Sequence, residues 1–171
     1  MNLEREKPVK LDDLYQEVIL DHNRRPRNFG KLENPTAYAH GVNPLCGDDY
    51  HLYLDVDNGT IKKVGFEGQG CAISKSSASM MTTMIEGKSV REAGELKEDF
   101  IRLLTSGTPS ESERSRVGRL KIFEGVRQFP IRVKCATLIW RALEETLKGS
   151  AQARKEVSTE SEGRMRGGTP A

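Results

Sequence analysis

The chain has 171 residues, 36% of them hydrophobic and 30% charged, a balance that suits one domain with a charged surface. Its 27 basic and 25 acidic residues nearly cancel, so we expect no general nucleic-acid partner. No apolar run approaches the roughly 18 residues that a membrane span needs, and the charged N-terminus lacks a signal peptide's apolar stretch. We therefore expect a cytoplasmic protein without a membrane partner, in which cysteines are more often metal ligands or reactive thiols than disulfide partners.

The first half of the chain predicts one helix followed by three strands. Residues 1–10 are expected to form a mobile leader, and Leu11 to about Arg25 has the spacing of an amphipathic helix, which Pro26 ends. From about Ala37 to Glu67, apolar and polar residues alternate as in half-buried strands. Asp57-Asn58-Gly59-Thr60 is a hairpin signal, because Asn-Gly accepts the positive φ angles of a type I′ turn. These signals predict a three-stranded antiparallel meander.

The second half is predicted to be helical. Helices are expected from Gly70 to a stop at Gly87, from the cap Ser89 to about Leu104, over Leu120–Val126, and over about Arg132–Lys148. Residues 105–118 are polar and rich in turn residues, which indicates a loop or a poorly ordered insertion. Residues 149–171 lack an apolar period and are expected to be disordered. The predicted fold class is α+β, with a three-stranded antiparallel sheet packed against several helices.

Cys46, Cys71 and Cys135 are the only cysteines in the chain, and each lies in a setting that suits a thiolate. Cys46 is in a turn two residues before Asp48, and a thiolate and a carboxylate at this spacing can chelate one ion if the backbone turns between them. Cys71 opens a predicted helix, whose unpaired N–H groups and dipole favour the thiolate. Cys135 lies within reach of two cations, which would also favour a thiolate.

Each cysteine also has an ordinary structural interpretation. Cys46 would be a buried thiol beside a turn aspartate, Cys71 an unreactive helix cap, and Cys135 a small core residue. Their wide separations match no zinc-finger spacing, so only a fold that brings the three together would make one site. Thiolates with one carboxylate would then suit a metal ion or sulfur chemistry.

Other residues that could carry chemistry give weaker signals. His22, His40 and His51 pair with no cysteine at a ligand spacing, and each is predicted to be a surface or strand residue. The basic stretch from Arg114 to Lys121 is balanced by nearby glutamates and is interpreted as a solvated face. P-loop, GxGxxG and GxSxG patterns do not occur, so nucleotide binding and serine hydrolysis have no support.

Four segments carry a resemblance to a known family. In chain order they are DHNRRPRNFG (21–30), NPLCGD (43–48), FEGQGCAISKSSASMM (66–81) and RVKCATLIW (132–140). They resemble the U-type iron–sulfur cluster assembly proteins, the IscU/SufU family, over roughly residues 11–148. Lys134 stands where the IscU branch has a histidine before the third cysteine, and the stretch between Cys71 and Cys135 is longer than in that branch. Both features favour the zinc-containing SufU branch.

The resemblance implies a zinc ion (Zn2+) bound by Cys46, Asp48, Cys71 and Cys135 at one exposed end of the fold. It also implies a SufS-type cysteine desulfurase as partner, with Cys46 as the catalytic residue that accepts persulfide sulfur. The protein would then be a sulfurtransferase-like carrier that stimulates the desulfurase. Its sulfur would pass to downstream iron–sulfur assembly proteins or apo-recipients.

Two alternatives use the same residues. In the first, the four ligands hold a transient iron–sulfur cluster, and the protein is a scaffold on which that cluster is assembled and transferred. In the second, the zinc is purely structural and the domain is an interaction module. A colourless zinc protein that accelerates a desulfurase supports the carrier, whereas a brown protein that transfers its cluster supports the scaffold.

Overall fold

The computed structural model describes residues 11–106, 109–148 and 155–158, without the side chains of 11–15 and 155–158. The expected leader (1–10) and most of the tail expected to be disordered (149–154 and 159–171) lie outside the described residues. Within the described part of the chain, no helix is long and apolar enough to cross a membrane.

The helices of the described residues are α1 (Leu11–Arg24), α2 (Ala72–Ile85), α3 (Val90–Thr105), α4 (Glu111–Val117) and α5 (Pro130–Leu147). A 3₁₀ helix over Gly118–Gln128 joins α4 to α5. The strands are β1 (Ala37–Asn43), β2 (Asp48–Asp57), β3 (Thr60–Gln69) and a short β4 (Lys155–Ser158). They form one sheet in the order β3-β2-β1-β4.

The predicted three-stranded antiparallel meander is confirmed. β1 pairs with β2 in a register that places Asn43 opposite Asp48, and β2 pairs with β3 across a tight turn. The turn residues Asn58 and Gly59 have positive φ angles of 48° and 72°, as the hairpin signal predicts. Helices pack against this sheet, so the architecture is the predicted α+β fold.

β4 lies inside the segment 149–171 and differs there from the expectation of disorder. Its four residues pair in parallel with β1, with Ala39 opposite Lys155. The physical reason is that β1 is an edge of the three-stranded meander. Unpaired backbone groups at an edge accept another strand without requiring any apolar pattern in it.

The meander buries one face and leaves the other partly exposed. On β2, alternate residues from Asp48 to Leu54 are buried, while Asp49 and His51 between them are partly exposed. α5 contacts β1 and β2, and α2 contacts β3. We call the buried side the helix face and the opposite side the outer face.

Small polar residues let α2 pack closely against α5. Ser77 is fully buried, donates a hydrogen bond to the Ala136 carbonyl at 2.6 Å and accepts one from Trp140 Nε1 at 3.0 Å. Trp140 is itself fully buried against Phe100 of α3, with ring centroids 4.7 Å apart. Because Ala136 directly follows Cys135, these contacts fix Cys135 relative to α2.

His22 also anchors α2, which corrects the prediction that it is a surface or strand residue. The ring lies on α1, is buried, and has Nδ1 2.7 Å from Ser79 Oγ on α2. Burial lowers the pKa of His22 below its usual value, because the charged ring would lose its solvation. Asp21 and Asn23 flank this histidine, and such polar neighbours usually indicate a residue that faces water.

The prediction of a loop or a poorly ordered insertion over residues 105–118 is wrong for the second part of that segment, which forms α4. Ser110 caps α4, and Glu113 completes a capping box that the sequence shows as Ser-x-x-Glu. The basic stretch that follows is not merely a solvated face, because Arg116 pairs with the buried Asp99 at 2.7 and 3.0 Å. The helix was not predicted because its sequence has few apolar residues. Ion pairs between α4 and α3 stabilise its position instead.

The packing of the 3₁₀ helix that follows α4 can be tested at Phe123. Its fully buried ring meets Phe100 edge to face, with centroids 5.8 Å apart. Phe123→Ala should lower the free energy of unfolding by about 3–5 kcal/mol, because it leaves a cavity in the core. The matched control is Phe129→Ala, since that ring is 54% exposed and its removal should cost much less. Equal denaturation midpoints for the two variants would contradict the described packing.

Candidate metal centre

The turn between β1 and β2 carries Cys46 and Asp48. Asn43 ends β1 opposite Asp48, and Gly47, with a φ angle of 70°, reverses the chain between the cysteine and the aspartate. Such a φ angle is readily adopted by glycine because it has no Cβ. Asp48 consequently enters the helix face and is 1% exposed, whereas Cys46 stays partly exposed at the tip.

Cys71 is the N-cap of α2, as the sequence predicts. Its Sγ lies 3.4 Å from the Ser74 backbone nitrogen and 3.6 Å from Ser74 Oγ. A hydrogen bond from the Cys135 thiol, together with those from Ser74, lowers the pKa of Cys71 to about 6. Cys71 therefore gives up its proton more readily than Cys135 does.

Asp48 is joined to the start of α2 by a short hydrogen bond. The Cys71 backbone N–H donates to Asp48 Oδ1 at 2.8 Å, and Cys71 Sγ lies 4.0 Å from Asp48 Oδ2. This approach requires glycine at position 70, because a Cβ there would lie 2.5 Å from Asp48 Oδ1. The glycines before Cys71 thus bring the loop within reach of β2.

Cys135 comes from the second turn of α5 and is buried. Its Sγ lies 3.2 Å from Cys46 Sγ and 3.7 Å from Asn43 Nδ2. The prediction that nearby cations favour the Cys135 thiolate is wrong, because the thiol form is favoured. The pKa of Cys135 is raised, because its thiol donates a hydrogen bond to Cys71 and because burial penalises the charged form.

The fold thus brings all four predicted residues together. One ligand atom each of Cys46, Asp48 and Cys135 lies within 4.8 Å of the other two, and Cys71 adjoins this group through its contacts with Asp48. A carboxylate buried among thiols is costly unless a cation or donors compensate it, and both the N–H and the thiol of Cys71 lie within hydrogen-bond reach of Asp48. Three soft thiols and one carboxylate are a donor set that fits zinc or a [2Fe–2S] cluster.

We call these four residues the cysteine cluster, and its three cysteines border an open depression of about 580 Å³. Its wall includes Cys46, Cys71, Cys135 and the start of α5. Large apolar side chains lie exposed nearby: Leu45 is 63% exposed, Phe129 54% and Ile131 59%. An exposed apolar border of this kind suits contact with another protein.

Two supporting residues were missed by sequence reasoning. Asn43 is fully buried, directs Nδ2 at Cys135, and has an Oδ1 without a hydrogen-bond partner. Tyr50 is fully buried with its hydroxyl 3.2 Å from Ser74 Oγ. Asn43 lies in the same NPLCGD segment as Cys46, so its place in a motif was the available signal. For Tyr50 the sequence offers only its position in the alternating pattern of β2, which indicates burial but no contact with the site.

Comparison with known sequences matches residues 14–136 to the family model described as the NifU-like N-terminal domain. A Bacillus subtilis (strain 168) protein named zinc-dependent sulfurtransferase SufU is 41% identical over 137 residues, covering 80% of this chain and 91% of its own. A Streptococcus pyogenes serotype M1 protein named iron–sulfur cluster assembly scaffold protein IscU is 40% identical over 145 residues, covering 84% and 89%.

Solved structures give the same result. A putative iron–sulfur cluster assembly scaffold protein for the SUF system, from Fervidobacterium islandicum AW-1, superposes with a TM-score of 0.72 at 35% identity, covering 77% of this chain and 94% of its own. A NifU-like N-terminal protein from Brucella abortus gives a TM-score of 0.70 at 26% identity, covering 81% and 94%. The matched family model covers most of the chain, and the predicted resemblance is confirmed. The chain belongs to the NifU-like N-terminal domain family, together with its SufU and IscU relatives.

Proposed function

We propose that this protein is an iron–sulfur cluster assembly protein that accepts persulfide sulfur from a SufS-type cysteine desulfurase. Zinc would be held by Cys46, Asp48, Cys71 and Cys135. The observation that carries the proposal is the convergence of these residues beside an open depression. The Bacillus subtilis relative, named a zinc-dependent sulfurtransferase, supports it.

The three cysteines would have different roles, which follow from their exposure and their hydrogen bonds. When bound, zinc would keep the thiolates deprotonated and protect them from oxidation. Cys135 is buried and fixed by α5, and Cys71 is fixed by the α2 cap, so both suit a lasting ligand role. Cys46 sits at the tip of a turn and faces the depression, so it is the one that can move toward a partner.

Sulfur transfer to Cys46 requires no external oxidant or reductant. The Cys46 thiolate attacks the terminal sulfur of the partner's cysteine persulfide, and a new S–S bond forms at Cys46. The partner's S–S bond breaks, its cysteine leaves as a thiolate, and the terminal sulfur keeps its proton. The chemistry suits a reducing compartment such as the cytoplasm, where free thiols persist. Downstream iron–sulfur assembly proteins or apo-recipients would then take the sulfur.

A scaffold function is the second candidate, because three thiolates and a carboxylate can also hold a [2Fe–2S] cluster. The Streptococcus pyogenes relative, which is named a scaffold, favours it.

A purely structural zinc module is the third candidate function. If the metal were purely structural, its removal would unfold the domain and the folded zinc protein would leave the rate of a desulfurase unchanged.

Replacement of Cys46 tests the acceptor role. Cys46→Ala and Cys46→Ser should both reduce the stimulated desulfurase rate to that of the desulfurase alone, because neither side chain can form a persulfide. Mass spectrometry should also detect no added sulfur atom on either variant, while circular dichroism confirms that both are folded. Full stimulation by a folded Cys46→Ala protein would refute the acceptor role.

Replacement of Asp48 tests the metal set. Asp48→Ala should speed zinc release to a chelator about tenfold or more, since even a residue behind a ligand typically changes affinity by this factor. The matched control is Asp55→Ala, which lies on the same strand with its side chain on the outer face. Zinc release that is equally slow in both variants would exclude Asp48 as a ligand.

A further inference from the structure

A second group of metal-binding side chains lies on the outer face, away from the cysteine cluster. His40 on β1 is directly opposite His51 on β2, and Asp49 lies two residues before His51 on the same side. Ligand atoms of the three residues lie within 4.8 Å of one another. Because successive strand residues point to opposite faces, Asp48 joins the cysteine cluster while its neighbour Asp49 joins this group.

The three side chains converge on one oxygen atom. His40 Nε2 is hydrogen bonded to Asp49 Oδ1 at 2.6 Å, and His51 Nε2 lies 3.7 Å from the same oxygen. The two imidazole rings are stacked, with centroids 4.3 Å apart and planes inclined by 5°. Both rings therefore turn Nε2 toward the same carboxylate, so that three potential ligand atoms lie close together.

Tyr38 holds one of these rings in place. Its hydroxyl lies 2.5 Å from Nδ1 of His51, the nitrogen that faces away from Asp49. When His51 donates its Nδ1 proton to Tyr38, its Nε2 keeps the lone pair that a metal requires. A histidine ligand is commonly oriented in this way by a hydrogen bond from its other nitrogen.

The group is open to ions in solution. The His40, Asp49 and His51 side chains are 23%, 44% and 34% exposed. An ion can therefore reach them without any opening of the fold, and water can complete its coordination. Two imidazoles and one carboxylate suit divalent first-row transition metals, including ferrous iron, and need no thiolate.

We propose that His40, Asp49 and His51 form a second metal site, which binds a divalent first-row transition ion on the outer face of the sheet. Its three ligands come from the paired strands β1 and β2. None of them is one of the proposed zinc ligands, and binding at this site requires no desulfurase.

Cobalt(II) is the probe that tests this proposal, because its spectrum reports its ligands. Thiolate-bound cobalt has strong near-ultraviolet charge-transfer absorption, whereas cobalt bound by imidazole and carboxylate has only weak visible bands. The full-length protein, loaded with one equivalent of zinc, is titrated with cobalt chloride. We expect one further equivalent to bind with weak visible bands and without the charge-transfer absorption.

Variants connect this signal to the residues. His51→Asn and Asp49→Asn should each abolish the second equivalent, and Tyr38→Phe should weaken its binding about tenfold. The control is Asp55→Asn, a partly exposed carboxylate on the same face of β2, which should bind cobalt as the wild type does. Two independent ligand variants keep the test valid if one of them fails to fold.

Two results would overturn the proposal. One is a titration in which all the bound cobalt shows thiolate charge transfer, and the other is an unchanged second equivalent in the folded His51→Asn and Asp49→Asn proteins. Neither result depends on sulfur transfer, so this site and the proposed function can fail separately.

Discussion

The hydrogen bond from the Cys71 N–H to Asp48 Oδ1 is the constraint on which the site depends. It joins the first residue of β2 to the N-terminus of α2, and it forms only because glycine precedes Cys71. The buried contact of Ser77 with α5 then brings Cys135 to the same point. Residues from a turn, a helix cap and a helix interior meet because each element is fixed by a contact close to its functional side chain.

Hydrogen bonding and burial give the three thiols different properties. Cys135 is buried with a raised pKa, Cys71 has a lowered one, and Cys46 lies on an open turn beside exposed apolar residues. A sulfur carrier needs ligands that hold the ion and one ligand that can leave it, and thiols with different surroundings suit these two needs. The same strand also presents Asp49 on its other face, so β2 contributes to both proposed metal sites while keeping them apart.

Local patterns predicted most of the fold and part of the site. Alternation predicted the strands, Asn58-Gly59 the hairpin, and the glycines before Cys71 the helix start. The convergence of the cysteines came only from the family resemblance, because residue spacing carries no information about long-range packing. The raised pKa of Cys135 depends on its hydrogen bond to Cys71 and on its burial, and the proximity of His40 and His51 depends on the register of β1 and β2. Burial and register cannot be predicted from the residues next to them in sequence. α4 was missed because its polar residues pair with charges on other elements.

The central claim is that Cys46, Asp48, Cys71 and Cys135 surround one ion. Zinc K-edge X-ray absorption on the full-length protein with one equivalent of zinc tests it most directly. The proposed ligand set predicts a coordination shell of three sulfur atoms and one oxygen, and a shell with fewer than three sulfur atoms would contradict the account.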